Sequence, residues 1–210
     1  MRCAGIPAGM WLLFGRSFRR KLTEVLGLTP AEAGTVTVRA KAAYRKILSG
    51  VPEFERGDRF QVNLVSCAML AAFVLSMPRR PSVEALTEYY AAAMMTPAMK
   101  WFCRRSGRAK FTPGDMAAME AAARLNAADR NPYSWNMELY PYPDGSGYEA
   151  RFTRCGICTL MKKLSLYDLT PALCRLDYTM SEAGGASVFV REYTLASGGL
   201  YCDCGYKKRP

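Results

Sequence analysis

A chain of 210 residues, 50% hydrophobic and 22% charged, carries enough apolar material for a sizeable core and is not a disordered sequence. The complete absence of histidine excludes Ser-His-Asp and Cys-His catalysis and every histidine-containing metal site. The net charge of +11 is spread over scattered Lys and Arg, without helix-turn-helix or zinc-finger signatures, which argues for a basic surface rather than a nucleic-acid-binding role.

The N-terminus, MRCAGIPAGMWLLFGRSFRRK, makes a poor secretory leader, because its apolar stretch is short and a basic cluster stands where cleavage would occur. Residues 1–35 read as an extension without an assigned element. Residues 36–49 form a basic amphipathic stretch ended by Gly50. Residues 60–77 are apolar nearly all round, hence a buried helix stopped by Pro78, and their run LVSCAMLAAFVL, about 12 residues, is too short to cross a bilayer. No membrane association is expected. Ser82 caps VEALTEYYAAAMMTPAMKWFCRR, which Pro97 should kink or split. Thr112 and Pro113 open a further helix through about Asn126.

The period then changes. WNMELYPY (135–142) alternates, with Trp135, Met137 and Leu139 on one side; PDGSG is a turn; YEARFTRC (148–155) alternates again, a hairpin signal. Helices follow at about 156–164 and 171–180, the second with Thr170 as N-cap and Pro171 at its first position. A second hairpin joins ASVFVREYTL (186–195) to LYCDCGY (200–206) across Ser197-Gly198-Gly199. The fold class is α+β in a single domain: a helical part over 36–130, then a part over 131–210 with an antiparallel sheet of two hairpins and two short helices between them.

Eight cysteines in a chain without a good leader point to a cytoplasmic protein with thiols mostly reduced. Five of them, Cys155, Cys158, Cys174, Cys202 and Cys204, fall in the last quarter. Cys155 lies at the N-cap of a helix beside Arg154, and Cys174 lies in the first turn of the next helix; both positions favour thiolate. Asp177, three residues after Cys174, shares its helix face, opposes that ionisation and offers an acid/base group. Cys202 and Cys204 share one face of their strand while Asp203 points the other way. Arg191 shares its face with Phe189, Tyr193 and Leu195, and either snorkels or holds a carboxylate, from Asp177 or from a substrate. A four-thiolate zinc site from Cys155, Cys158, Cys202 and Cys204 is an alternative, although the second pair is tighter than the usual spacing.

The stretch FTRCGICTLMKKLSLYDLTPALCRLDYTM, followed by REYTLASGGLYCDCGYKK, resembles the L-2-amino-thiazoline-4-carboxylic acid hydrolase family. Its pattern is Arg-Cys after a strand, Leu-Cys-x-x-Asp, an Arg strand, and Gly-Gly-x-x-Cys-Asp-aromatic; Cys204 departs from it where an aromatic residue is expected. Trp135 in YSWNMEL also fits. The resemblance is specific from about Asn131 onward, weaker over the helices from about residue 60 and uninformative before. It implies hydrolysis of a small cyclic isothiourea bearing a carboxylate to a carbamoyl-cysteine, without a cofactor. Carried over by motif, the site residues would be Cys155, Cys174, Asp177, Arg191 and Cys202, with Trp135 and Tyr193 beside the substrate. Cys155 and Cys174 stand equal as nucleophiles, and Asp177 would move protons. The rival reading is a non-catalytic small-ligand, redox or zinc-binding sensor domain.

Overall fold

The computed structural model describes residues 5–209. Helices α1 (Ile6–Glu24), α2 (Pro30–Ser49), α3 (Gln61–Ser76), α4 (Val83–Met94), α5 (Pro97–Ala109) and α6 (Pro113–Ala128) precede strands β1 (Glu138–Pro141) and β2 (Gly147–Phe152); α7 (Gly156–Lys163), α8 (Thr170–Cys174) and α9 (Leu176–Gly184) follow, then β3 (Ser187–Val190) and β4 (Cys202–Lys208). The sheet is antiparallel throughout, with strand order β1-β2-β4-β3. The class is α+β.

The capping logic holds where the sequence signalled it. Ser82 Oγ accepts from the Ala85 N–H (3.2 Å) and Thr112 Oγ1 from the Asp115 N–H (3.2 Å). Pro97 splits the long segment outright: α4 ends at Met94, and Thr96 caps α5 by accepting from the Met99 N–H at 3.2 Å. The expected helix at 36–49 begins earlier, at Pro30. Thr29 and Glu32 form a reciprocal capping box there, with Pro30 at the first helical position.

The segment 1–35 contains α1, whose Phe14, Phe18 and Leu22 are buried in the same core as α3. The Tyr89 hydroxyl on α4 donates to the Phe18 carbonyl at 3.1 Å, and the Phe18 ring packs 5.0 Å from Phe73. α3 is buried on nearly every side and is the axis of this first core, around which α1, α2, α4, α7 and α8 gather.

A second, smaller core joins Met119 and Ala122 of α6 to the inner face of the sheet, where Tyr148, Ala150, Phe189, Cys202 and Cys204 alternate with outward residues. Trp135, expected on one side with Met137 and Leu139, instead precedes β1 and belongs to the first core, while those two belong to the second. Phe60 and Phe152, in edge-to-face contact at 5.6 Å, touch both cores. α5 docks on α9 through glycine: a Cβ at Gly107 would collide with the Gly184 carbonyl. No described helix is long and apolar enough to cross a membrane.

Candidate active site

The seam between the two cores holds the candidate residues. Cys155 is the N-cap of α7, with extended backbone (φ −136°, ψ 117°) inherited from the end of β2. Gly156 follows because a side chain there would strike the Tyr133 carbonyl and crowd the Trp135 ring. Trp135 is 5% exposed, its ring tilted against Phe60 with centroids 5.5 Å apart, so it supports the start of α7 from within the core.

The helix expected at 171–180 is broken in two at Arg175. A 3-10 turn, Tyr167–Leu169, runs straight into α8, so Thr170 has helical angles (φ −57°, ψ −36°) and cannot cap; Leu169 takes that position, and the buried Thr170 hydroxyl has no hydrogen-bond partner. Cys174 therefore ends its helix instead of opening it, which overturns the expected helix-dipole assistance to its thiol. The break leaves the Cys174 carbonyl available, and the Arg191 guanidinium donates to it.

β3 ends at Val190, short of the expected strand 186–195. The Asp203 carboxylate accepts from the backbone N–H groups of Glu192 (2.8 Å) and Tyr193 (3.0 Å) and draws the chain out of the ladder. Arg191 consequently leaves the strand and turns inward, with its side chain 5% exposed. Its Nη1 donates to Asp177 Oδ2 at 2.9 Å and lies 3.8 Å from Cys204 Sγ. The rings of Phe189 (4.9 Å) and Tyr178 (5.4 Å) flank the guanidinium, and the Tyr178 hydroxyl donates to the Arg191 carbonyl at 3.3 Å. Of the two carboxylates considered for Arg191, Asp177 is the one it holds. Phe189 is its ring neighbour as expected. Tyr178, adjacent in sequence to Asp177, was not singled out; an aromatic one place after the acid was its only signal.

Tyr193 is not part of this group. Its hydroxyl meets that of Tyr201 at 2.9 Å, and Tyr201 stacks with Arg151, whose neighbours in register point to the outer face of the sheet. Among the described residues, Cys155, Cys158, Cys202 and Cys204 included, no group of three or more Cys, Asp or Glu is placed to hold a metal. All described cysteines are free, and Cys3 lies outside the described residues.

Burial governs the electrostatics. The Cys155 thiol is pushed well above its ordinary range by a hydrogen bond to Cys158 and by burial, which outweighs the N-cap position. Burial raises Cys174 to about 12 and Cys202 to about 11, despite the pull of Arg191 on both; the Leu195 N–H also donates to Cys202 Sγ at 3.3 Å. Cys204 is raised by burial and by Asp177. A thiol of pKa about 12 is ionised in about one part in 10⁵ at pH 7, so the expected resting thiolate is absent at Cys174. Crowding raises the Asp177 pKa and Arg191 pulls it down, with the first effect larger. The Asp177 side chain keeps 43% of its surface open, so its setting is crowded, not dry, and it forms the accessible end of the pair.

The site thus combines a half-open carboxyl, a buried guanidinium paired with it, and thiols from three elements around them. A model of the L-2-amino-thiazoline-4-carboxylic acid hydrolase family matches residues 62–206. No curated protein and no solved structure matches the chain.

Proposed function

The chain belongs to the L-2-amino-thiazoline-4-carboxylic acid hydrolase family, and from that premise we propose that it opens a small cyclic isothiourea bearing a carboxylate, adding one water to give a carbamoyl-cysteine. The observation that carries the reading is the Asp177–Arg191 pair, 2.9 Å apart, seated against the Cys174 carbonyl. A raised carboxyl pKa suits a group that must take up and return a proton near neutrality. Arg191 is charged throughout and is already organised for a planar anion. Asp177 stays charged to receive a proton, and the guanidinium, which carries five N–H donors, holds the substrate carboxylate with those not directed at Asp177 and the Cys174 carbonyl.

Cys174 is the nucleophile in this reading. Arg191 favours ionisation of the Cys174 thiol and Asp177 opposes it while charged, as at Cys202 and Cys204, but Cys174 is the one of the three whose own carbonyl also receives the Arg191 guanidinium. A thiol of this pKa does not attack as a resting thiolate, so its proton passes to Asp177 as the sulfur adds to the carbon between ring nitrogen and ring sulfur. The displaced C=N electron pair collects on the ring nitrogen, which takes the proton from Asp177. A ring bond to that carbon then breaks, its ring atom leaving with a proton and the carbon held as an amidino thioester on Cys174; water adds at the same carbon and the Cys174–carbon bond breaks, returning the protonated thiol and giving the carbamoyl group. Cys155 and Cys202 line the thiol wall behind the reacting carbon.

The test is turnover of 2-amino-thiazoline-4-carboxylate by purified protein, with the carbamoyl-cysteine read by mass spectrometry. We expect product from the wild type, a strong loss in Asp177→Asn, and a trapped adduct mass on Cys174 in rapid quench. No product from a folded, reduced wild type would reject the substrate class; full activity of Cys174→Ser would reject the covalent route.

A further inference from the structure

Cys155 and Cys158 stand apart from the other thiols. They occupy the N-cap and the third position of α7, one helical turn from each other, the spacing at which an N-cap side chain and the side chain three residues on reach one another. Cys174 and Cys202 come from other elements, α8 and β4. The two members of the pair are unequal: Cys158 is 8% exposed, and Cys155 is the more open residue. The Thr159 N–H donates to the Cys155 carbonyl at 3.2 Å, so α7 is wound from its first turn while both thiols are reduced. Two cysteines separated by two residues at a helix start have the Cys-x-x-Cys spacing of dithiol–disulfide pairs.

We propose that Cys155 and Cys158 form a reversible dithiol–disulfide site whose co-reactant is a low-molecular-weight disulfide. The Cys155 sulfur, on losing its proton, attacks one sulfur of the oxidant; a mixed disulfide forms and one small thiol leaves with a proton. Cys158 then loses its proton and attacks the Cys155 sulfur, closing the internal bridge and releasing the second small thiol. Two electrons and two protons pass from the protein to the oxidant, and the reverse sequence restores the dithiol. Closing the bridge withdraws Cys155 from the thiol wall beside Cys174. That consequence rests on the hydrolytic reading; the dithiol chemistry does not.

The experiment equilibrates the purified full chain in buffers of stepped reduced-to-oxidised glutathione ratio, then applies acid quench, alkylation and tryptic mapping. Cys155 and Cys158 share the single peptide 155–162. The expected result is that this peptide passes as a unit from two alkyl groups to none, with the loss of two hydrogens, while the other cysteines stay alkylated. Reduction by dithiothreitol should restore it. Cys158→Ser should stop at the glutathione adduct of Cys155, and the wild-type map alone decides the question if that variant does not fold. Two alkyl groups retained at the most oxidising ratio, or a bridge from Cys155 to Cys174 or Cys202, would overturn the proposal. Bridged protein that still turns over the thiazoline would remove Cys155 from the hydrolytic site and leave the dithiol assignment standing.

Discussion

Replacing Asp177 by Asn should leave stability almost unchanged and abolish most of the activity, and replacing Arg191 should do the reverse damage to the fold. Asn keeps an acceptor oxygen for the Arg191 Nη1 donor, 2.9 Å away in the wild type. With 43% of the Asp177 side chain open, screening holds the energetic difference to about 1 kcal/mol or less. Arg191→Met keeps an apolar stem between Tyr178 and Phe189 but removes the charge that both rings face and the donor to the Cys174 carbonyl. An unsatisfied carbonyl costs about 1–2 kcal/mol and the lost cation–π contacts about 1–2 kcal/mol more, so the loss should be about 2–4 kcal/mol.

The pH dependence carries a definite sign. The folded pKa of Asp177 lies above its ordinary 3.8, so the folded chain binds this proton more tightly than the unfolded chain. The resulting stabilisation is complete below 3.8 and is lost as pH rises through the raised folded value. Wild type should therefore lose ground against Asp177→Asn across that window and run parallel to it above. Urea denaturation followed by circular dichroism, at steps from about pH 3 to 8, measures the difference. Activity of Asp177→Asn should fall by about 10²–10⁴ if the carboxyl moves the proton. An Asn variant that unfolds more easily than Arg191→Met at neutral pH would refute the reasoning, because the carboxylate would then be a principal support of the fold.

Brief iodoacetamide at pH 7 should label Cys174 and Cys202 slowly, since their pKa values are about 12 and about 11, and urea should make both react quickly; rapid labelling in the native state would refute the burial argument. Gly107→Ala should lower stability by about 1–3 kcal/mol in thermal denaturation, although alanine favours an isolated helix, because the new Cβ strikes the Gly184 carbonyl across α5 and α9. Phe18→Ala should cost about 3–5 kcal/mol in urea, since its ring is fully buried against Phe73; a loss below about 1 kcal/mol would detach α1 from the core. Tyr89→Phe, which removes only the hydroxyl donated to the Phe18 carbonyl, should cost about 0.5–1.5 kcal/mol by the same measurement.

What the sequence determined by itself was local. Apolar runs, Ser82, Thr112 and Pro97 set helix boundaries through capping and proline geometry, both properties of a few adjacent residues. Alternation in 148–155 signalled a strand, the spacing of Cys202 and Cys204 put both on one strand face, and the cysteine at a strand end followed by a helical stripe placed Cys155 at an N-cap. The start of α2 was equally legible in Thr29-Pro30-Ala31-Glu32, whose Thr and Glu are spaced for a reciprocal cap. Tertiary structure decided the rest. Arg191 leaves its strand because Asp203, on a different strand, captures the next two backbone N–H groups, and it takes the Cys174 carbonyl at the helix break at Arg175. Both events pair groups many residues apart. Likewise, the N-cap position favoured a Cys155 thiolate, but the electrostatic outcome was settled by burial and by the Cys158 partner, quantities that exist only once the two cores have closed around the seam.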